Sequence, residues 1–192
     1  MKENIKLGVI LLIITALSGL ILGLSYEGTK EAIEKNGKLD KKELSVIMPE
    51  AEVVKDKKIE LSKEGSINEV LEAYKGDKKV GYLINVTSKG FHGDIQTMVG
   101  ISDAGDVTGI KIVSHSETPG VGSKVEKTDF TNKFKEKKIE KGIKLTKTPS
   151  GKDDEVEGVT GATVSSTAVV GGVNAAIEFY NNNLKGAVGA NE

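Results

Sequence analysis

The chain has 192 residues and not one of them is cysteine. That absence excludes disulfides, thiolate metal sites and cysteine-ligated iron–sulfur clusters. It also excludes a lipoprotein anchor. Any redox work then falls to an organic cofactor. Aromatics are scarce, with four Phe, four Tyr and no Trp, and none interleave with a basic stripe. With a formal net charge of −1 the chain also lacks a basic excess, which argues against a nucleic-acid partner. There are two histidines, His92 and His115, too few for a histidine metal centre, so no metal site is expected. Glycine is plentiful, with 23 residues against the ~7% of an average protein. It points to turns and close backbone approaches rather than to a helical bundle.

Charge is missing altogether from residues 7–24, LGVILLIITALSGLILGL. A helix of that length is near the lower bound for crossing a ~30 Å hydrocarbon core. Ile5 extends the apolar span if Lys6 snorkels. Lys2 and Lys6 precede the run, which places the N-terminus in the cytoplasm and residues 27–192 outside; Lys30 and Lys35 pull the other way. The rival readings are a cleaved signal peptide, with Gly23 and Ser25 spaced for cleavage after Ser25, and a buried core helix. The run is long for a signal peptide, so a retained single-pass anchor in the cell membrane is expected.

The remainder divides into a membrane-proximal helical or extended segment (27–75), a domain (76–185) and a tail (186–192). Within the proximal segment, SINEVLEAYK (66–75) reads as a short helix or a mixed segment, with Ser66 and Glu69 resembling a capping box. Strand character then sets in at VGYLINVTS (80–88), IQTMVGIS (95–102) and VTGIKIVSHSE (107–117). The turn DAGD (103–106) makes the last two a hairpin, with Thr108, Ile110 and Ile112 as the better core face. After a turn at Pro119–Gly120 the chain looks helical, with Asp129 as candidate N-cap ahead of Phe130 and Phe134. IKLTKT (143–148) and KDDEVEGVT (152–160) have strand character. The lysine-rich 133–144 reads as a solvated surface. From Ser165 to about Asn183, Ala168, Val169, Gly172, Val173, Ala176, Ile177 and Tyr180 share one helical face. Gly171–Gly172 would permit close packing there. The fold class is α+β: a single domain with a mostly antiparallel sheet and flanking helices, behind one N-terminal transmembrane helix.

The stretch EGVTGATVSST (157–167) sets two glycines, an alanine and five hydroxyl residues at the door of that helix. Ser165 or Ser166 would occupy the N-cap, and Gly161 and Ala162 let the backbone approach a ligand. Helix N-termini carry unpaired N–H groups and partial positive charge, which suits a phosphate. Neither a P-loop nor a dinucleotide fingerprint is present. Simple capping and phosphate binding both account for the composition.

The run Glu157-Gly158-Val159-Thr160-Gly161-Ala162-Thr163 resembles the flavinylation motif of FMN-binding domains. In that family the last threonine of the core carries FMN through a phosphoester, which the resemblance puts on Thr163, one FMN per chain. The family usually has Asp where this chain has Glu157, and the charge is kept. A second stretch, residues 90–125 with HSETPGVG (115–122) at its centre, resembles the G subunit of Rnf, the ion-translocating ferredoxin:NAD oxidoreductase. The C subunit of the sodium-pumping NADH:quinone reductase is related. The resemblance implies an electron-carrying subunit without independent catalysis, working among other membrane subunits of an Rnf complex. It also implies maturation by a flavin transferase. It puts the phosphate near Thr160, Gly161, Ala162, Thr163, Ser165 and Ser166, with amides of Ser165 to Thr167 as donors, and the ring at Glu117, Thr118, Pro119 and Gly120. His115 would position that turn; a hydrolytic set of His115, Glu117 and Ser123 is the competing reading. Three other functions compete: the quinone-reductase C subunit, a stand-alone extracytoplasmic FMN reductase and a non-flavin assembly protein.

Overall fold

The computed structural model describes residues 2–36, 40–57, 59, 61, 65–138 and 142–186. Residues 187–192 of the expected tail and 139–141 of the lysine-rich run lie outside them. The chain forms two compact units, Met1–Asp40 and Lys41–Glu192.

The first unit holds helix α1, Lys2–Asn36. Asn4–Gly23 within it is long and apolar enough to cross a membrane, and its side chains are exposed rather than packed in a core. At 1.5 Å per residue these 20 residues reach about 30 Å. The helix continues past residue 26, where the anchor was expected to end.

The second unit is built on a six-stranded antiparallel sheet in simple sequence order: β1 (Val53–Asp56), β2 (Ile67–Lys75), β3 (Lys78–Lys89), β4 (Asp94–Ser102), β5 (Asp106–His115) and β6 (Lys137–Lys138). Residues 67–75 are thus a strand, not a helix. The local Ser66/Glu69 signal loses to pairing on both sides, with β1 and β3, and to burial of Val70, Leu71 and Ala73. The boundary expected at residue 76 falls in the hairpin between β2 and β3. The strands before it belong to the same sheet.

One face of the sheet meets α4, Thr163–Asn183. Tyr82, Ile84 and Val86 of β3, Ile95, Val99 and Ile101 of β4, and Val107, Ile110 and Ile112 of β5 cluster with Val169, Val173, Ala176, Ile177 and Tyr180. Each valine or isoleucine among them, fully buried, is worth about 1.5–3 kcal/mol. Simple alternation sets Val107 on the face opposite Thr108, Ile110 and Ile112. A bulge corrects this: Gly100 pairs with Gly109 but Ile101 with Val107, so Thr108 is the extra residue and Val107 turns inward. A Cβ on Gly172 would stand 3.1 Å from Val86 Cγ2, so the bare α-carbon is what seats α4 on β3.

The opposite face carries α2, Lys41–Ile47. Its last turn sits on the cross-strand pair Gly100–Gly109: a Cβ at Gly109 would lie 2.8 Å from the Val46 carbonyl oxygen and one at Gly100 2.8 Å from that of Ile47. The bulged Thr108 donates its hydroxyl to the Ile47 carbonyl at 2.6 Å. Glu43 pairs with Lys111.

The chain leaves β5 through a 3₁₀ turn (Gly122–Glu126), the short helix α3 (Thr128–Thr131) and a second 3₁₀ turn (Asn132–Phe134). Lys127, not Asp129, is the N-cap of α3, and Asp129 lies in its first turn. The buried Phe130 and Phe134, in edge-to-face contact at 5.3 Å, hold this segment to the core. Strands β7 (Lys144–Thr146) and β8 (Glu155–Glu157) pair in parallel as a separate small sheet. Asn174 of α4 fastens the entry to β7 by accepting from the Ile143 N–H at 2.7 Å and donating to its carbonyl at 2.9 Å.

Gly109→Ala is expected to lower the stability of the sheet unit by about 1–3 kcal/mol, because the added methyl meets backbone oxygens that cannot give way. Urea midpoints of the two proteins check it; an unchanged midpoint would mean that α2 is not seated on the glycine pair.

Candidate cofactor site

Three segments converge at one end of the sheet. They are the β3–β4 connection (residues 90–93), the stretch after β5 (116–122) and the lead into α4 (158–162). What joins them is the carboxylate of Glu117, 4% exposed. Its Oε1 accepts from the backbone N–H groups of Phe91 and His92, both at 2.9 Å. Its Oε2 accepts the hydroxyl of Ser165, in the first turn of α4. Burial alone would push this carboxyl's pKa up. The hydrogen bonds from Ser165, His92 and Phe91 outweigh it and hold the group below the usual glutamate value, so it is ionised at neutral pH. Two glycines make room. A Cβ on Gly90 would fall 2.5 Å from Glu117 Oε1, and one on Gly122 would fall 2.8 Å from Glu117 Cβ.

The histidines brace the same loops. Nδ1 of His115, at the end of β5, accepts the Glu117 N–H at 3.1 Å, leaving Nε2 to donate to Glu126 at 3.1 Å. His92 Nδ1 lies 3.0 Å from the Thr118 hydroxyl. Ser123 accepts from the Gly120 N–H at 2.8 Å. The side chains of His115, Glu117 and Ser123 are thus not bonded to one another and form no hydrolytic triad.

The hydroxyl-rich stretch now divides. The N-cap of α4 is Ala162, with no side-chain cap. Ser165 and Ser166 lie inside the first turn and are buried. The Ser166 hydroxyl accepts from the Val159 N–H at 3.0 Å, and Thr167 donates to the Thr163 carbonyl at 2.8 Å. Since the Ser166 N–H already donates to the Ala162 carbonyl, the orphan amides are those of Thr163, Val164 and Ser165, two residues earlier than expected. Thr160 and Thr163 are exposed, and their hydroxyls have no partner among the described residues.

Thr163 opens on a cavity of about 290 Å³ lined by Phe91, Glu117, Thr118, Val121, Gly122 and residues 161–165. Of the residues expected here, Glu117, Thr118, Gly161, Ala162, Thr163 and Ser165 line it. Thr160 and Ser166 do not, nor do Pro119 and Gly120, which stand exposed on the turn beyond. Gly161 takes φ +83°, a value that favours glycine, as the chain turns into α4. Phe91, Val121, Gly122 and Val164 line the cavity without having been singled out. The glycine-flanked Gly90-Phe91-His92-Gly93 was the available signal for the first of them. Among the described residues, no basic side chain lines the cavity. The arrangement has a free hydroxyl, unpaired amides with the positive end of a helix dipole, and an apolar rim. That donor set fits an amphipathic phosphate ester such as FMN.

Comparison with known proteins agrees with this chemistry. A family model described as FMN-binding domain matches residues 90–178. The G subunit of the Na(+)-translocating ferredoxin:NAD(+) oxidoreductase complex of Acetobacterium woodii is 33% identical, over 94% of this chain and 93% of its own. The G subunit of the proton-translocating complex of Clostridium ljungdahlii is 31% identical, over 84% and 83%. Among solved structures, the C subunit of the Na(+)-translocating NADH-quinone reductase of Parabacteroides distasonis superimposes with a TM-score of 0.51 at 26% identity. That match covers 58% of this chain and 60% of the other. With relatives this similar over most of its length, the chain belongs to the G-subunit family of the ion-translocating ferredoxin:NAD(+) oxidoreductase complexes.

Proposed function

We propose that this chain is the membrane-anchored electron carrier of such a complex, holding one FMN by a phosphoester to Thr163. Its N-terminus would be cytoplasmic and its flavin domain extracytoplasmic, and it would pass electrons between cofactors of neighbouring membrane subunits. The observation that carries the reading is the Thr163 hydroxyl: exposed, without a partner among the described residues and at the first position of α4, inside the cavity.

FMN held there supplies one- and two-electron redox chemistry. The chain's residues position and shield it. Thr163 Oγ would take the phosphoryl bond and lose its proton; with FAD as donor and a flavin transferase as catalyst, the pyrophosphate bond of FAD would break and AMP would leave. The unpaired amides of Val164 and Ser165 would serve as donors to the phosphate, and Thr118 lines the same cavity. The lack of a lysine in the lining among the described residues supports covalent attachment. A helix terminus alone contributes about 0.3–1 kcal/mol toward an anion, too little to retain a diffusible cofactor outside the cell. Glu117 does not oppose the phosphate directly, since both its oxygens are turned to Phe91, His92 and Ser165. Its task is to keep the three loops in register.

Two outcomes are expected. Wild type co-expressed with a flavin transferase should carry an FMN-sized adduct on the 157–167 peptide, and Thr163→Val should carry none. Intact mass with peptide mapping decides, and wild type without adduct beside a flavinylated control protein would sink the reading. Glu117→Gln should lower stability by about 1.5–3 kcal/mol at neutral pH, through weakened bonds to a charged acceptor. Because the folded pKa is depressed, this stabilisation is complete above the ordinary glutamate value of about 4.3 and fades as pH falls through the lower folded value. The two proteins' urea midpoints should therefore converge in acid; a constant gap would mean that the charge is not what matters.

A further inference from the structure

The described part of the unit Lys41–Glu192 exposes six large apolar side chains: Val46, Val53, Phe91, Val113, Val121 and Val164. Three of these, Phe91, Val121 and Val164, ring the cavity in front of Thr163. Phe91 is the aromatic among them and is 67% exposed. Isolated exposed apolar residues need no explanation, but three around one cavity mouth do.

The Phe91 backbone is not left to chance. Its N–H is held by the buried Glu117, and the Gly90 N–H donates to the Gly93 carbonyl at 2.8 Å, closing the turn. The ring is propped edge-on against His92 at 4.8 Å, and His92 in turn meets Thr118. A tightly fixed loop thus presents an unshielded aromatic face at the mouth. The cavity itself, about 290 Å³, sits at the low end for ligand pockets of roughly 300–1,000 Å³. A tricyclic ring attached through its phosphate to Thr163 would therefore lie across the mouth rather than within it.

From this we infer that Phe91 is a positioning residue that covers one face of the isoalloxazine ring, shielding it from water. Val121 and Val164 supply apolar contacts around it. This rests on the FMN reading above, and it assigns the ring a place beside the 90–93 loop rather than on the Pro119–Gly120 turn, which stands outside the cavity lining.

The test uses the full chain co-expressed with a flavin transferase, as wild type, Phe91→Trp, Phe91→Leu and Phe91→Ala. Intact mass comes first, and all four should carry the adduct. An indole in contact with the ring transfers an electron to the excited flavin, so F91W should lose flavin emission several-fold. F91A should admit iodide more freely, roughly doubling its quenching of the flavin, with F91L between it and wild type. Thermal midpoints should stay together, since the side chain is exposed. Adduct on every protein with unchanged emission in F91W and unchanged iodide quenching in F91A would overturn the inference and assign Phe91 to another contact. Adduct on wild type but lost from F91L and F91A would also overturn it, because a covering role leaves attachment intact. No adduct even on wild type would remove the FMN reading and this inference together.

Discussion

One buried carboxylate organises the candidate site. Glu117 sits where the chain leaves β5, and it reaches the β3–β4 loop through two backbone amides and α4 through the Ser165 hydroxyl. Three segments far apart in sequence are thus held by a single charge. An ionised carboxylate 4% exposed is costly unless its oxygens are satisfied, and here three donors satisfy them. Charge and loop positions therefore depend on each other. Were the loops to open, the carboxylate would lose its donors but regain water.

The sheet supplies what this clamp works against. Its strands run in sequence order, so each hairpin is local, and both faces are covered by helices placed through missing side chains. Gly172 brings α4 onto β3, while the pair Gly100–Gly109 admits the end of α2. A chain with 23 glycines uses a few as close-contact surfaces, not only as turns. The position of α4 matters most for function, because its first turn carries Ser165 and Thr163 on opposite duties. Ser165 faces inward to Glu117, and Thr163 faces out to the cavity.

Periodicity and composition disclosed the strands β3, β4 and β5, the apolar face of α4 and the N-terminal span. Tertiary effects hid the rest. Residues 66–75 carry a helix-start signal that pairing on both edges overrides. Strict alternation misplaces Val107, because a bulge is set by cross-strand register and not by local sequence. At the candidate site, the motif wording singled out a stretch that lines the cavity, but composition could not say which hydroxyls were spoken for. Ser165 and Ser166 look like caps and are instead interior ties to Glu117 and Val159. Phe91 lies in the 90–125 stretch without a reading; its flanking glycines mark a loop, but they do not say that the ring stands exposed at a cavity mouth.

The division among the hydroxyls bears on why the link, as proposed, falls on a threonine at this position. A side chain at the first helical residue points away from the ladder that begins one turn later, so modifying it disrupts no helix bond. The same bulk on Ser165 or Ser166 would have to enter a space both already fill, at 2% and 0% exposure. Thr160 is equally free but precedes the left-handed Gly161, outside the cavity lining. Of the candidate oxygens, Thr163 alone combines accessibility, nearness to the unpaired first-turn amides and a place inside the cavity. With no cationic side chain in the lining among the described residues, the amides would orient a phosphate more than retain it, and in the proposed reading retention falls to the covalent bond. That separation leaves the apolar rim free to hold the ring without also holding the cofactor in place.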